Sequence, residues 1–507
     1  MQVGRSNYTV NVTPTLQVLT EGQIEAIYHS ALGVLSETGV RVYDREGWDL
    51  AHDGGAIVED VNASEESALV KMPSWMVDRA RATLPQRVRV IGPAYADGTR
   101  RHKMDLFKNE IYYGTGSDTP FTIDPYTRKR RRALYKDVKN LAKLAEALPN
   151  VDFFMSLGIT QDTAVGTYDR WSYLAMLEST NKPVNITAVD IEGVRDQLEM
   201  ACIRLGGRDE WRKAPCFSLY IEPVSPLSHS KEVVQKLLFS ADNAIPMVYT
   251  PCPLAGATSP TTLAGTMVQA LTESLFGIVL SQLRKPGAEI IIGGLMSAMD
   301  MRTAVYCYGS PEMALLSAGY TDITKWLRVP EYETAGCSDS KCFDEQACME
   351  AAINITTAAL VGGNMIHDIG YIEQGLCSSP HMLVASDDII SRTKRLLRGI
   401  PTDDGAKALA VLDEVGPGGH FLAHDHTYQR FKTENWRSPL VDRQVHADWE
   451  ASGGKSYQDR VHERMIEILE AEVEPLLDEK MYHELRTVCE AADARHKGEE
   501  LSVSMFA

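Results

Sequence analysis

Asn364-Met365-Ile366-His367-Asp368 closes an apolar run that begins at Val361. A short run that is apolar almost throughout fits a strand covered on both faces. Six similar runs precede it: Val151–Leu157, Pro183–Val189, Pro215–Ile221, Ile245–Thr250, Ala288–Gly293 and Trp326–Glu331. Helical patterns separate them, near Tyr168–Ser179, Ile191–Leu205, Ser230–Asp242, Thr261–Leu283, Pro311–Thr324 and Asp344–Leu360. Alternation of this kind means right-handed βαβ units and a parallel sheet. Seven runs are readable, and an eighth would close a TIM (β/α)8 barrel. Met382–Ala385 and His420–Ala423 are the candidates for it. The rival fold, an open doubly wound sheet, loses support because no G-x-G-x-x-G follows the first strand.

The flanks read differently. Thr20-Glu21-Gly22-Gln23 fits a capping box ahead of a stripe at Ile24, Ile27, Ala31, Val34 and Leu35, and Gly39 fits the stop. Residues from about Val88 to Thr127 alternate and are rich in turn formers, which predicts short antiparallel strands, Glu110–Gly114 among them. Val461, Met465, Ile468, Leu469 and Val473 form one stripe of a helical C-terminal part. The expected division is an N-terminal segment of helices and short strands over 1–150, a barrel core over 151–430, and a helical extension over 431–507.

Composition narrows the function classes. Of 507 residues, 44% are hydrophobic and 24% charged, as in ordinary globular proteins. A net charge of −18 argues against nucleic acid as the main partner. No run of about 18 uncharged apolar residues predicts a membrane span. The start, MQVGRSNYTVNVTP, lacks the basic-then-apolar pattern of a signal peptide, so a cytoplasmic location is expected. The nine cysteines form no C-x-x-C pair and read as reduced thiols.

In a barrel the catalytic groups sit at the C-terminal strand ends and in the loops beyond them. That rule nominates Asn185 and Asp190, Tyr220 and Glu222, Tyr249 and Thr250, Gly293 and Gly294, Tyr332 and Glu333, and His367 and Asp368. His367 stands out, because a neighbouring carboxylate can hold it in one tautomer or keep it charged. Glu222 precedes a stiff Pro223-Val224-Ser225-Pro226 loop, where its carboxylate could face a cation and Tyr220 could add a ring for cation–π contact. Tyr112-Tyr113-Gly114-Thr115-Gly116 reads as a turn over the barrel mouth, with no lysine or helix start to suit a phosphate. Arg128-Lys129-Arg130-Arg131-Arg132 is a solvated turn or a dock for an acidic partner. The histidines at 420, 424 and 426 lack an H-E-x-x-H spacing, so no metal site is expected, and a zinc enzyme is the weaker alternative. G-x-S-x-G is absent, which leaves an esterase triad without support.

Four segments together carry a resemblance. They are Pro223-Val224-Ser225-Pro226-Leu227, Thr334-Ala335-Gly336-Cys337-Ser338-Asp339-Ser340-Lys341, Gly363-Asn364-Met365-Ile366-His367-Asp368-Ile369-Gly370-Tyr371 and Gly416-Pro417-Gly418-Gly419-His420-Phe421. With them the chain resembles the trimethylamine:corrinoid methyltransferases over nearly its whole length, and among these it looks most like the members without pyrrolysine. The resemblance implies a TIM barrel and methyl transfer from a methylated amine to Co(I) of a separate corrinoid protein, with no cofactor tightly bound. The family archetype carries pyrrolysine near the Thr334–Lys341 segment, whereas every residue here is a standard one. A quaternary ammonium is already charged and leaves as a neutral amine, so it needs positioning rather than covalent activation.

The implied substrate is therefore a quaternary amine, glycine betaine first, with dimethylglycine as product. Proline betaine, carnitine and γ-butyrobetaine are alternatives, as is a non-catalytic quaternary-ammonium-binding protein. On this reading His367 and Glu222 are the catalytic candidates. Tyr113, Tyr220, Tyr249 and Tyr332 would hold the cationic end, with Asn364 and Asp368 completing the pocket and His367 and Asn364 facing the carboxylate. The expected partners are a corrinoid protein and the amine, with further copies of the chain as a possibility the sequence leaves open.

Overall fold

The computed structural model describes residues 13–496 and contains a closed barrel of eight parallel strands. In chain order these are β1 (Tyr112–Thr115), β2 (153–154), β3 (Val184–Ile186), β4 (Phe217–Ile221), β5 (Met247–Tyr249), β6 (Ile290–Gly293), β7 (Glu331–Thr334) and β8 (Met365–Ile369). Closure runs through β1: Met365 and Ile366 of β8 pair with Tyr112 and Tyr113, while Gly114 bridges Phe153 and Phe154 bridges Val184.

The missing strand therefore lies at the start of the barrel rather than its end. Met382–Ala385 is helical, and His420–Ala423 belongs to no strand. The segment expected to be an antiparallel strand at Glu110–Gly114 is instead β1, parallel to both neighbours, so the barrel begins well before residue 151. Its glycines obscured it. Side chains at Gly114 and Gly116 would collide with the rings of Phe153 and Tyr371, so these glycines serve close packing rather than a turn. Antiparallel pairing does occur just upstream, between Val88–Ile91 and Lys103–Leu106.

Each strand is followed by a helix: α1 (Tyr135–Ala147), α2 (Tyr168–Leu177), α3 (Ile191–Leu205), α4 (Lys231–Asn243), α5 (Leu263–Arg284), α6 (Pro311–Leu327), α7 (Glu345–Val361) and α8 (Pro380–Leu397). The sequence marks the helix starts. Asp190, Ser230, Ser310, Asp344 and Ser379 each accept a hydrogen bond from a first-turn N–H, and prolines follow two of them. Asp190, a nominated site residue, is thus a helix cap.

Two devices finish the barrel. At its foot, the N-terminal end of the strands, Val88, Val90, Met104 and Leu106 of the hairpin join Phe153, Val248, Ile291 and Met365 in one apolar cluster, so the hairpin plugs the opening. Outside, the helix Glu21–Gly33, with the predicted capping box at Thr20, and the helix Ser74–Thr83 cover α5. By length and composition α5 could cross a membrane, but 78% of its apolar window is buried inside the protein. The C-terminal helices Tyr457–Glu470 and Glu479–Arg495 pack on α8 and α1, and on α3 and α2.

Candidate active site at the barrel mouth

Alternation along each strand decides which side chains enter the barrel. Tyr220 and Tyr332 belong to the interior cluster, and Asn185 reaches it through the Tyr332 hydroxyl. Tyr113 and Tyr249 point the other way, into the layer between barrel and helices. There the Tyr249 hydroxyl meets His229 Nδ1 at 2.6 Å, and the Tyr113 ring lies 5.7 Å from Lys394 Nζ. Their assignment to the substrate is corrected: Tyr112 and Val248 are the inward residues of those strands. Asn364 is also misplaced. It starts β8 at the foot, where Nδ2 donates to the Lys108 and Glu110 carbonyls at 2.8 and 2.9 Å and Oδ1 accepts from Glu331 N–H at 3.1 Å. Glu333 lies outside the barrel wall beside Glu331; burial pushes both carboxyls up, and at Glu331 the Glu333 carboxylate adds to the rise.

The remaining candidates converge. Ser218 Oγ donates to Asn185 Oδ1 at 3.1 Å, Asn185 Nδ2 to the Tyr332 hydroxyl at 3.2 Å, and that hydroxyl to Met155 Sδ at 3.0 Å. This chain fixes the Tyr332 ring, which stacks on His367 with centroids 3.9 Å apart and planes at 27°. His367 Nδ1 is 2.8 Å from the Glu333 carbonyl, so Nδ1 carries the proton and Nε2 is an acceptor. Burial lowers the imidazole pKa to about 3 and keeps the ring neutral.

Asp368 reaches the same cavity because of a bulge. The register between β8 and β1 shifts between Ile366 and Ile369, and Asp368 takes a left-handed φ of 76°. His367 and Asp368, neighbours that a regular strand would send to opposite faces, thereby meet at 3.3 Å between Nε2 and Oδ1. Burial, then the nearby Glu222 carboxylate, push the Asp368 carboxyl well above its usual range. A neutral imidazole acceptor facing a protonated carboxyl is the consistent pairing. The other oxygen, Oδ2, is buried with no hydrogen-bond partner.

Around this pair stands a wall of phenols. Tyr306, Tyr308, Tyr332 and Tyr371 all lie within electrostatic reach of Asp368. Ring centroids are 5.9 Å apart for Tyr220–Tyr332, 4.6 Å for Tyr306–Tyr308 and 6.3 Å for Tyr308–Tyr371. The Tyr220 hydroxyl donates to Glu222. Solvent reaches Glu222, yet protein crowds it enough that burial pushes its carboxyl up, as expected on the wall of a cavity. Neither Glu222 nor Asp368 forms an ion pair with lysine or arginine among the described residues.

Strand-end reasoning missed Tyr306, Tyr308 and Tyr371, which arrive on the segments beyond the barrel strands, Tyr306 and Tyr371 in short two-residue strands there. Tyr308 N–H donates to Asp339 at 2.8 Å, inside the Thr334–Lys341 segment, and the Tyr371 hydroxyl donates to the Ser117 carbonyl. Glu273 of α5, also missed, holds the loop that carries Glu222: it accepts from Ser225 Oγ at 2.8 Å and from Leu227 N–H at 2.9 Å. The basic run forms an edge hairpin on this face. Arg130 is paired with Glu373 and Arg131 with Asp137, while Arg128, Lys129 and Arg132 are exposed. Among the described residues no three His, Cys, Asp or Glu side chains gather as metal ligands, and His424 serves as a helix cap.

Comparison with known proteins bears on this geometry. A family model described as trimethylamine methyltransferase matches residues 2–496. A trimethylamine methyltransferase of Desulfitobacterium hafniense strain DCB-2 is 30% identical over 479 residues, covering 94% of this chain and 93% of that one. One from Methanosarcina barkeri is 29% identical over 500 residues, covering 95% and 96%. A glycine betaine methyltransferase of Desulfitobacterium hafniense strain Y51 is 28% identical over 497 residues, covering 96% and 99%. The crystal structure of the Methanosarcina barkeri monomethylamine methyltransferase is similar at a TM-score of 0.49 and 12% identity, covering 92% of this chain and 89% of that one.

Proposed function

The chain belongs to the trimethylamine methyltransferase family, and on that premise we propose that it takes a methyl group from a quaternary amine, glycine betaine foremost, and delivers it to Co(I) of a partner corrinoid protein. The observation that carries this reading is the mouth itself: two crowded carboxylates, Glu222 and Asp368, inside a wall of tyrosines, with no lysine or arginine among the described residues paired to them. A desolvated cation is what such a pocket binds well, through ring faces and carboxylates together.

In the proposed reaction the C–N bond breaks, its electron pair stays on nitrogen, and a neutral tertiary amine leaves. Co(I) supplies the electron pair that takes up the methyl group. The protein needs no nucleophile or general base of its own, because the donor has no proton to lose. Tyr220, Tyr332 and Tyr308 hold the ammonium, and Glu222 and Asp368 offset its charge. In the free protein His367 Nε2 accepts from the protonated Asp368 carboxyl, which gives up that proton when the cation binds. A methyl group held still and pointed outward is the main rate gain available here. The residues also suit a large apolar partner. Val165, Val224, Met301, Val305 and Leu376 are exposed, and all lie on loops after strands, around the same opening.

A second reading concerns the substrate. Glycine betaine brings a carboxylate, and among the described residues no lysine or arginine pairs with the acids of this mouth. That favours a quaternary amine without a carboxylate, of the tetramethylammonium or choline type. The test is methyl transfer to Co(I) cobalamin with glycine betaine, choline, tetramethylammonium and trimethylamine in parallel. Turnover of glycine betaine above the others supports the first reading, and turnover of the simple cations supports the second. Turnover of none of the quaternary amines would sink both.

A further inference from the structure

A third carboxyl stands at the mouth, on the side of β1. Asp118, Ser156 and Thr187 lie just past the ends of β1, β2 and β3, which puts all three at the C-terminal end of adjacent strands. Ser156 Oγ donates to Asp118 Oδ1 at 2.9 Å and accepts from the Asp118 N–H at 2.9 Å. The Thr187 hydroxyl is within hydrogen-bonding reach of the same carboxyl. Burial pushes this carboxyl up, and the two hydroxyls oppose the rise. Asp118 takes a left-handed φ of 36°, which aspartate tolerates better than most residues but at some strain. Asp118 and Thr187 are half-buried, so this corner is open to solvent.

Two connections tie the corner to the tyrosine wall. A Cβ at Gly116 would collide with the Tyr371 ring, and the Tyr371 hydroxyl donates to the Ser117 carbonyl, so this phenol rests on the segment that carries Asp118. The same ring faces Tyr308 at 6.3 Å and lies within electrostatic reach of both Asp368 and Asp118. The second connection runs through Met155. Its Sδ accepts from the Tyr332 hydroxyl at 3.0 Å, its backbone is bonded both ways to Thr115 Oγ1 at 2.8 Å, and Ser156 is the next residue. Asp118 therefore borders the pocket of Tyr332, Tyr371 and Asp368. Lys236 is also within electrostatic reach of Asp118. It faces Asp169, Glu232 and Asp190 as well, its ammonium donates to the Ala188 carbonyl, and no ion pair joins it to Asp118 among the described residues.

The chemistry of this corner is that of an acceptor. Two hydroxyls already point at the carboxyl, and its remaining lone pairs call for a further donor. A substrate carboxylate brings no donor and sets like charge against like. A hydroxyl brings a donor without a charge, and its hydrogen bond to a carboxylate is of the stronger kind. Resting on the methyltransferase reading given under Proposed function, we propose that Asp118 binds the far end of the substrate, and that the substrate is a quaternary ammonium carrying a hydroxyl, of the choline class. The trimethylammonium sits among Tyr220, Tyr332 and Tyr308, and the hydroxyl donates to Asp118 beside Tyr371. The C–N bond breaks as before, its electron pair stays on nitrogen, and the amine that leaves is a neutral dimethylamino alcohol. Asp118 touches the end remote from the reacting methyl, so it selects among amines without entering the cleavage.

The test is calorimetric binding to the full chain of choline, of propyltrimethylammonium, which has a methyl in place of the hydroxyl, and of glycine betaine. Methyl transfer to Co(I) cobalamin is followed with the same three. The wild type should bind choline about tenfold or more tighter than propyltrimethylammonium, with glycine betaine weaker than choline. Asp118→Asn, which suits the left-handed backbone, should bring choline and propyltrimethylammonium within about threefold of each other, chiefly by weakening choline. Asp118→Gly, at ease at this φ and without any acceptor, should do the same and covers the case in which the first variant folds poorly. Equal affinity of the wild type for these two ligands overturns the proposal, as does a choline preference that survives in both variants. Tighter binding of glycine betaine than of choline also overturns it, by giving the corner to a carboxylate with Lys236 or a protonated Asp118 as donor. Failure of the methyltransferase reading shows differently: choline bound with the stated preference, but no methyl passed to cobalt.

Discussion

At the foot of the barrel Asn364 engages both ends of its amide, and the Lys182 ammonium donates to the carbonyls of Ala145, Leu148 and Val151 at 2.5, 2.8 and 2.6 Å. At the mouth, among the described residues, Asp368 keeps a buried oxygen without a partner, and Glu222 accepts from the Tyr220 hydroxyl alone. Both ends bury polar groups: Asn364 and Lys182 at the foot are satisfied, and Asp368 at the mouth is not. The foot is therefore built for stability, and the mouth holds unmet electrostatic demand that a ligand can fill. Changing one residue at each end should separate the two.

The largest effect is expected at the mouth. Asp368→Asn keeps the shape and removes the charge, and turnover of the best quaternary amine should fall by roughly 10²–10³-fold. The unfolding temperature should stay level or rise, because an unpartnered buried carboxyl is lost. Single-turnover transfer and thermal unfolding on the same sample check both halves. A cooperative loss of stability with activity intact would mean that Asp368 belongs with the foot.

Asn364→Ala is the converse experiment. It strands the carbonyls of Lys108 and Glu110 and the N–H of Glu331, at a cost of about 2–4 kcal/mol. Denaturant unfolding should show that loss, while the half-saturating amine concentration stays where it was. A shift in that concentration at full stability would return Asn364 to the substrate pocket.

His367→Ala lies between these extremes. It removes the stack on Tyr332 and the partner of Asp368 without removing a charge, since the ring is neutral. The half-saturating amine concentration should rise roughly tenfold, about 1.4 kcal/mol. His367→Gln, which can still accept from Asp368, should recover part of it. Unchanged kinetics in both variants would remove His367 from the site.

The strands were legible where apolar runs were unbroken, as in β4, β5 and β6, because burial on both faces leaves a continuous signature. β1 was not, since Tyr-Tyr-Gly-Thr-Gly carries glycines that answer to the Phe153 and Tyr371 rings rather than to local conformation. Strand ends nominated His367, Asp368, Glu222, Tyr220, Tyr332 and Asn185, and the fold brings these side chains together at the mouth. Tyr113 and Tyr249 failed by one residue, which on a strand is the whole distance between two faces. Tyr306, Tyr308 and Tyr371 could not be read, because contacts distant in sequence return their loops to the mouth.

The smallest expected effect sharpens the contrast between the two ends by pH. Burial raises the Asp368 and Glu222 carboxyls, so the free protein holds protons there over a pH range in which an unfolded chain has already lost them. Two consequences have opposite signs. Because the folded state binds more protons than the unfolded, the stability these groups contribute is present at low pH and is lost as pH rises through their folded pKa values. A bound cation favours the ionised carboxylates, so binding should release protons and tighten as pH rises through the same range, by at most about tenfold per unit for each proton released. Calorimetry in two buffers of different ionisation enthalpy reads the release directly. Asp368→Asn should reduce it, and Asn364→Ala at the foot should leave it unchanged. Amine binding with no proton release would mean that Glu222 and Asp368 are ionised before the ligand arrives, and that some cation of the protein's own already answers them.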